Sequence, residues 1–293
     1  MKLVKGPGIT GEPGAVAIEP ARRRVRAQVA GMFVGDSEGV YTLFEHGFSP
    51  RWYFPVGDVR ADLLRVNGQT TDTLGRGPAR WYDMHLDDRV IENAAWDHPS
   101  TPPDCPSLEG LIAFEWNLMD AWFEEDDEIP VHPRDPYSRV EILSSSRHVL
   151  VQLDGEVVAD SRRPLLVLET GLPTRYYLPM ADFETALLTP SDSFTWCPYK
   201  GRAEYWDVTV NGHVYHDIVW AYSDPFPFAN RLAGHRCPFN EFFDITVDGK
   251  LVERPDSKWK YHGPNAYTFR EGDEEWDPTA AATWSGDDAA THR

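Results

Sequence analysis

The sequence predicts a mainly β fold with minor α, laid out as two tandem copies of one small domain. Three observations carry that reading. Leu168-Glu169-Thr170-Gly171-Leu172-Pro173-Thr174-Arg175-Tyr176-Tyr177-Leu178-Pro179 repeats Phe44-Glu45-His46-Gly47-Phe48-Ser49-Pro50-Arg51-Trp52-Tyr53-Phe54-Pro55 at an offset of 124 (169 − 45), and that offset runs through both halves without a gap. Short runs rich in β-branched and aromatic residues are separated by Asp-Gly and Asn-Gly pairs, which are strong hairpin signals. Helical patterning is confined to brief stretches, so sheets rather than bundles are expected.

In chain order, residues 1–21 form a Gly- and Pro-rich lead-in, 22–128 the first repeat, 129–148 a linker, 149–258 the second repeat and 259–293 a polar tail. Arg22 to Val29 reads as a first strand that turns at Ala30-Gly31. Its copy, Val149 to Leu153, turns at Asp154-Gly155 into Glu156 to Asp160. Asp-Gly suits this turn because both central residues need positive φ. The apolar run Leu165 to Leu168 (Tyr41 to Phe44 in the first copy) leads through a Gly-containing loop into the Arg-x-Tyr strand. Residues two apart in a strand share a face, so Arg175 and Tyr177 point the same way. Glu169 is then expected to reach Arg175 across the loop as a charge-assisted pair.

Asp182 to Leu188, and Asp58 to Leu64 before it, read as a short helix with Asp182 as N-cap. Tyr205 to Val210 and His213 to Trp220 form a hairpin around Asn211-Gly212, which places Asp207 opposite His216. Asp87-Asp88 is the weaker counterpart of that turn and tolerates the left-handed region. Pro225 to Ala233 is a Pro-led loop with one helical turn, and Phe242 to Val247 is the last strand, closed by Asp248-Gly249. The tail from Thr279 to Arg293 is expected to lack stable order.

A formal charge of −19 argues against nucleic acid or an anionic membrane as partner, since both call for a basic face. No run approaches the ~18 apolar residues of a membrane span, and Met1 to Ala17 lacks a signal-peptide core. The three cysteines, Cys105, Cys197 and Cys237, are odd in number and form no C-x-x-C pair, which speaks against a disulfide framework or a cysteine zinc site. A soluble, reducing, cytoplasmic setting is expected. No cofactor is expected: the chain has no phosphate-loop pattern, no G-x-G-x-x-G after a strand and no Gly-x-Ser-x-Gly elbow. No metal is expected either, because His213 and His216 sit on opposite faces of a strand.

The residues kept in both copies are Glu45/Glu169, Gly47/Gly171, Arg51/Arg175, Tyr53/Tyr177, Gly77/Gly201 and Trp96/Trp220. Their plainer reading is structural: glycines for turns, tryptophans for core, Glu and Arg as an anchoring pair. Their functional reading is a pocket floor, with Arg binding an anion and Glu acting as base or orienter. The Cys197-Pro198-Tyr199-Lys200-Gly201 run differs from the first copy, which reads Thr73-Leu74-Gly75-Arg76-Gly77 and keeps the positive charge at Arg76. A lysine beside a lone cysteine lowers a thiol pKa or binds an anion, whereas a buried cysteine is an inert small hydrophobe. The candidate catalytic residues are therefore Glu169, Lys200, Cys197 and Tyr177. The candidate ligand-binding residues are Arg175, Tyr199, Trp206 and Trp220, with Glu45, Arg51 and Tyr53 in the first copy. Single replacement of Glu169 or Lys200 is expected to abolish ligand binding with little change in Tm.

Glu169-Thr170-Gly171 with Arg175-Tyr176-Tyr177, then Cys197-Pro198-Tyr199-Lys200-Gly201 and Trp206, resemble the bacterial family catalogued as domain of unknown function 427, which also carries a nucleotidyltransferase-like label. The resemblance spans Arg22 to Phe123 and Val149 to Gly249. It implies a small β-tent-like domain, similar to that of methionine sulfoxide reductase B and the ligand-binding domain of cereblon, and implies no settled activity. Pro238-Phe239-Asn240 departs from the family pattern, and Phe114 in the first copy matches it better. Three functions stay open: an enzyme with its site in the second repeat, a non-catalytic sensor or binding module with an aromatic pocket, and a protein-interaction scaffold. The expected partners are a small-molecule ligand and further copies of the chain in a homo-oligomer.

Overall fold

A computed structural model describes residues 14–45, 48–256 and 269–270. The chain divides into two units between Ser138 and Arg139. The first carries β1 (Val16–Pro20), β2 (Val25–Val29), β3 (Met32–Ser37), β4 (Tyr41–Glu45), β5 (Arg51–Pro55), β6 (Leu64–Thr73), β7 (Gly77–His85), β8 (Val90–Asp97), β9 (Leu111–Phe114), β10 (Ala121–Glu124) and β11 (Asp127–Glu128). A seven-stranded sheet runs β1-β4-β5-β9-β8-β7-β6, and a four-stranded sheet runs β11-β10-β2-β3. Val25, Ala27 and Val29 of the small sheet meet Trp52, Phe54, Met84 and Phe114 of the large one in a shared core.

The second unit repeats this plan with β12 (Val140–Ser144), β13 (Val149–Leu153), β14 (Glu156–Ser161), β15 (Leu165–Glu169), β16 (Arg175–Pro179), β17 (Leu188–Cys197), β18 (Gly201–Val210), β19 (His213–Ala221), β20 (His235–Pro238), β21 (Asp244–Val247), β22 (Lys250–Leu251) and β23 (Phe269–Arg270). Its large sheet runs β12-β15-β16-β20-β19-β18-β17-β23, and its small sheet runs β14-β13-β21-β22. The two cores exchange volume at matched positions. Gly35 leaves room for Phe54 and Phe114, whose rings lie 3.0–3.1 Å from where its Cβ would stand. In the second repeat Ala159 fills that space, and Leu178 and Pro238 replace the two rings.

Turn chemistry follows the sequence at the clearest signals. Asp154-Gly155 has φ of 49° and 83°, and Asn211-Gly212 has 51° and 77°, as a hairpin twisted to match its strands requires. The Asp87-Asp88 turn is different. Neither aspartate has positive φ, and the longer link is closed by the Leu86 N–H donating to Arg89 O at 2.9 Å.

Three expectations need correction. Asp182 to Leu188 is not an α-helix but two 3-10 turns, Met180–Asp182 and Thr185–Leu187, matched by Val56–Asp58 and Ala61–Leu63. Each is too short to propagate. Asp182 does not cap; its carboxylate accepts from Ser161 Oγ at 2.7 Å and from Arg163, as Asp58 accepts from Ser37 Oγ at 2.6 Å. The offset also does not run unbroken. Ala95↔Phe114 matches Val219↔Pro238 at 124, but in the pairs Ala27↔Trp122 and Val151↔Ile245 the second members differ by 123 (245 − 122), so the second repeat is one residue shorter between β20 and β21. Finally, β1 lies inside the lead-in and β12 inside the linker, where each adds an edge strand beside β4 and β15. Gly47 and the tail from Thr279 lie outside the described residues. Among those described, no helix is long and apolar enough to cross a membrane.

Candidate functional site

Strand alternation gives the large sheet two unlike faces. On β16, Tyr176 and Leu178 enter the core between the sheets, whereas Tyr177 enters a second cluster on the opposite face with Tyr205, Trp220, Tyr222 and Cys237. Arg175 shares that opposite face, as its spacing from Tyr177 requires. Lys200 reaches the cluster from the turn before β18. Gly201 there has φ of 103°, and Phe226 N–H donates to Lys200 O at 3.0 Å, which pins the turn.

Lys200 Nζ donates to Glu169 Oε1 at 2.5 Å, and both side chains are less than a tenth exposed (7% and 8%). The ammonium also lies 5.6 Å from the Tyr222 ring centroid. Burial works against this charge, but the neighbouring Cys197 sulfur and Glu169 carboxylate favour it more, and the Lys200 pKa is raised. Trp220 Nε1 donates to Tyr177 OH at 2.9 Å, and Tyr205 OH shares a hydrogen bond of 2.8 Å with Thr195 Oγ1. Burial pushes the Tyr177 and Tyr222 phenols and the Cys237 thiol well above their ordinary values, so all three stay neutral at physiological pH.

The first repeat builds the same floor from different residues. Arg76 replaces Lys200 and donates through Nη1 to Glu45 Oε2 at 2.8 Å, again with both side chains buried. Trp96 Nε1 donates to Tyr53 OH at 3.1 Å. His98 stands where the second repeat has Tyr222, with Nε2 3.3 Å from the Tyr53 hydroxyl. Burial, helped by the positive charge of Arg76, lowers the His98 pKa to about 4, so the ring is neutral.

Most predicted site residues gather here, but not as paired. Glu169 does not meet Arg175. Arg175 is instead held by Glu241, with Nη1 2.6 Å from Oε2 and Nη2 2.8 Å from Oε1, and the two side chains are 3% and 0% exposed. Trp206 does not join the cluster. It faces the core between the sheets, beneath Arg236, whose Cζ is 4.3 Å from its ring centroid. Tyr199 is half-buried in the turn, and Cys197, also half-buried, packs at the margin of the cluster. Asp207 and His216 do meet, with Oδ2 2.9 Å from Nδ1, although at a bulge rather than in register.

Burial also changes the expected effect of replacing Glu169 or Lys200 alone. Either substitution strands a buried partner charge, so a loss of stability must accompany any loss of binding. Sequence reasoning missed Glu241 and the place of Cys237 in the cluster. The available signal for Glu241 was its setting: a carboxylate between Phe239 and Phe242-Phe243 must be either exposed or paired with a buried cation.

No curated protein matches this chain. A family described as Domain of unknown function (DUF427) matches it twice, over residues 17–125 and 141–249, and those two segments each hold one large sheet, one small sheet and one Tyr–Trp floor. The chain therefore belongs to the DUF427 family and carries the domain in two tandem copies.

Proposed function

We propose that the protein binds a small molecule at the second repeat, on the sheet face that carries Glu169, Lys200, Cys197 and Tyr177, and that it acts there as a binding module. The carrying observation is the Lys200–Glu169 pair, 2.5 Å apart and less than a tenth exposed, set among tyrosines. Charges held in such a setting act on a ligand's polar groups more strongly than charges in water. The surrounding rings supply a flat apolar surface, and the turn at Tyr199 offers a polar rim.

Binding is favoured over acid–base catalysis by the state of the other groups. Proton transfer at neutral pH is served by a group that titrates near 7. Tyr177, Tyr222 and Cys237 are driven away from that range, which suits fixed hydrogen-bond donors. Arg175 is committed to Glu241 and positions the floor rather than the ligand.

A thermal-shift screen with nucleosides, cyclic imides and small amines tests this reading. The comparison is wild type against Glu169→Gln combined with Lys200→Met, which removes both charges together and strands neither. At least one class should raise the Tm of the wild type and leave that of the double variant unchanged. A shift that survives in the double variant, or no shift with any class, would overturn the reading.

A further inference from the structure

Beside the Arg76/Lys200 and His98/Tyr222 exchanges, the two repeats differ in what closes the arginine at their matched floors. In the second, the Arg175 guanidinium lies 5.5 Å from the Trp220 ring centroid and is closed by the bidentate carboxylate of Glu241. In the first, the Arg51 guanidinium lies 6.0 Å from the matched Trp96 ring and 5.5 Å from Phe48. The loop registers agree on both sides of this position: Glu115 N–H bonds Ala94 O as Phe239 N–H bonds Ile218 O, and Leu118 N–H bonds Glu115 O as Phe242 N–H bonds Phe239 O, which places Asn117 at the position of Glu241. Arg51 is half-buried, and among the described residues it forms no ion pair with a carboxylate.

A second observation points to the same place. Arg76 Nε is buried without a hydrogen-bond partner in a residue 6% exposed, while the His98 ring, 1% exposed, meets the backbone of Gly77 and Pro78. Both residues surround the Tyr53 hydroxyl, whose environment also includes the Arg51 charge. At the matched positions Lys200 and Tyr222 leave no such buried atom. A buried donor without an acceptor is costly and uncommon in a finished site.

We propose that the first repeat binds a small organic monocarboxylate, received by Arg51 in the place that Glu241 fills for Arg175, with the rest of the ligand against Trp96 and Phe48. Planar two-point recognition is what a guanidinium offers a carboxylate. Indole and phenyl faces suit a flat apolar remainder. The chain itself displays the bound geometry once, with its own side chain as the occupant.

Sodium benzoate is the probe, and neutral benzamide the control, in calorimetric titrations of the full chain. Benzoate should bind one per chain with a Kd on the order of 1 mM or tighter, and benzamide at least ~10-fold more weakly. Asn117→Glu, which restores the second repeat's arrangement, should weaken benzoate at least ~10-fold. Arg51→Gln should do the same, and since it breaks no ion pair it keeps the test open if Asn117→Glu fails to fold. The proposal does not depend on the second-repeat site. In the Glu169→Gln/Lys200→Met background the one-to-one stoichiometry should persist, and its loss there would place benzoate at the other repeat. Absence of saturable binding to the wild type, equal affinity for benzamide, or unchanged affinity in Arg51→Gln would each overturn the proposal.

Discussion

Replacing Glu241 by Gln keeps the shape of the side chain and removes its charge. Its carboxylate is fully buried and takes both Nη groups of Arg175 at 2.6 and 2.8 Å, and the guanidinium is itself only 3% exposed. The substitution therefore opens no cavity; it strands a cation away from water. Breaking one side of a buried pair costs about 3–5 kcal/mol. The amide oxygen still accepts one hydrogen bond, so the lower end applies. For a domain of this size that cost corresponds to a fall in Tm of roughly 10–20 °C. The exposed pair Arg202–Glu204, 3.4 Å apart with both side chains about 40% exposed, sets the opposite limit: Glu204→Gln should change stability by less than about 1 kcal/mol. Urea unfolding at pH 7, followed by tryptophan fluorescence, measures both. Combining Arg175→Met with Glu241→Leu should recover most of the loss, because an apolar pair of similar volume costs little in such a site. A change below about 1 kcal/mol for Glu241→Gln would refute the claim that this pair is sealed from water.

Three further outcomes follow from the same geometry. His98 is lowered to about 4 in the folded chain, so the unfolded state binds the extra proton first as pH falls through the ordinary histidine range. Its contribution is complete above about pH 6.5 and is lost between there and about pH 4, by about 3 kcal/mol in total. His98→Tyr, which installs the residue of the second repeat, should flatten that part of the profile in urea melts at pH 7, 5.5 and 4.5. Among the three cysteines, half-buried Cys197 should be alkylated first by iodoacetamide in the native chain. Cys105 and Cys237, buried and with raised thiol pKa, should react only on unfolding, and mass spectrometry of Cys237 labelled as fast as Cys197 would contradict this. Gly201→Ala should cost about 1–3 kcal/mol, because φ is 103° and the new Cβ meets Asp224 O and Phe226 N at 3.4 Å. Gly212→Ala, with φ of 77° and open space around it, should cost about 1 kcal/mol by the same melts.

Much of the architecture was legible because it depended on local chemistry. Asp154-Gly155 and Asn211-Gly212 each specify a turn within two residues, and period-two alternation alone places Arg175 and Tyr177 on one face. The duplication was legible because substitutions between the copies had not disturbed the glycines and aromatics that the turns and cores need. What escaped was set by contacts distant in sequence. Arg175 and Glu241 are 66 residues apart, whereas Glu169 lay close in the chain and looked like the natural partner. Lys200 won Glu169 because its turn, held by Phe226, aims the ammonium inward. Trp206 was misplaced by composition: alternate positions on β18 send Tyr205 and Trp206 to opposite faces, and aromatic content alone cannot separate them. The edge strands β1 and β12 were hidden in segments whose Gly and Pro content suggested loops, because an edge strand needs only one side of its backbone paired.

Glu241 and Asn117 give the halves of one polypeptide different relations to their surroundings. The second half carries its own counter-ion and keeps it at any concentration of outside solutes. The first half, on the reading proposed above, draws its counter-ion from solution, so its melting point rises with dissolved acid while that of its sibling stays fixed. The gap between the two transitions would then behave as an internal gauge, with the sealed half as its reference mark.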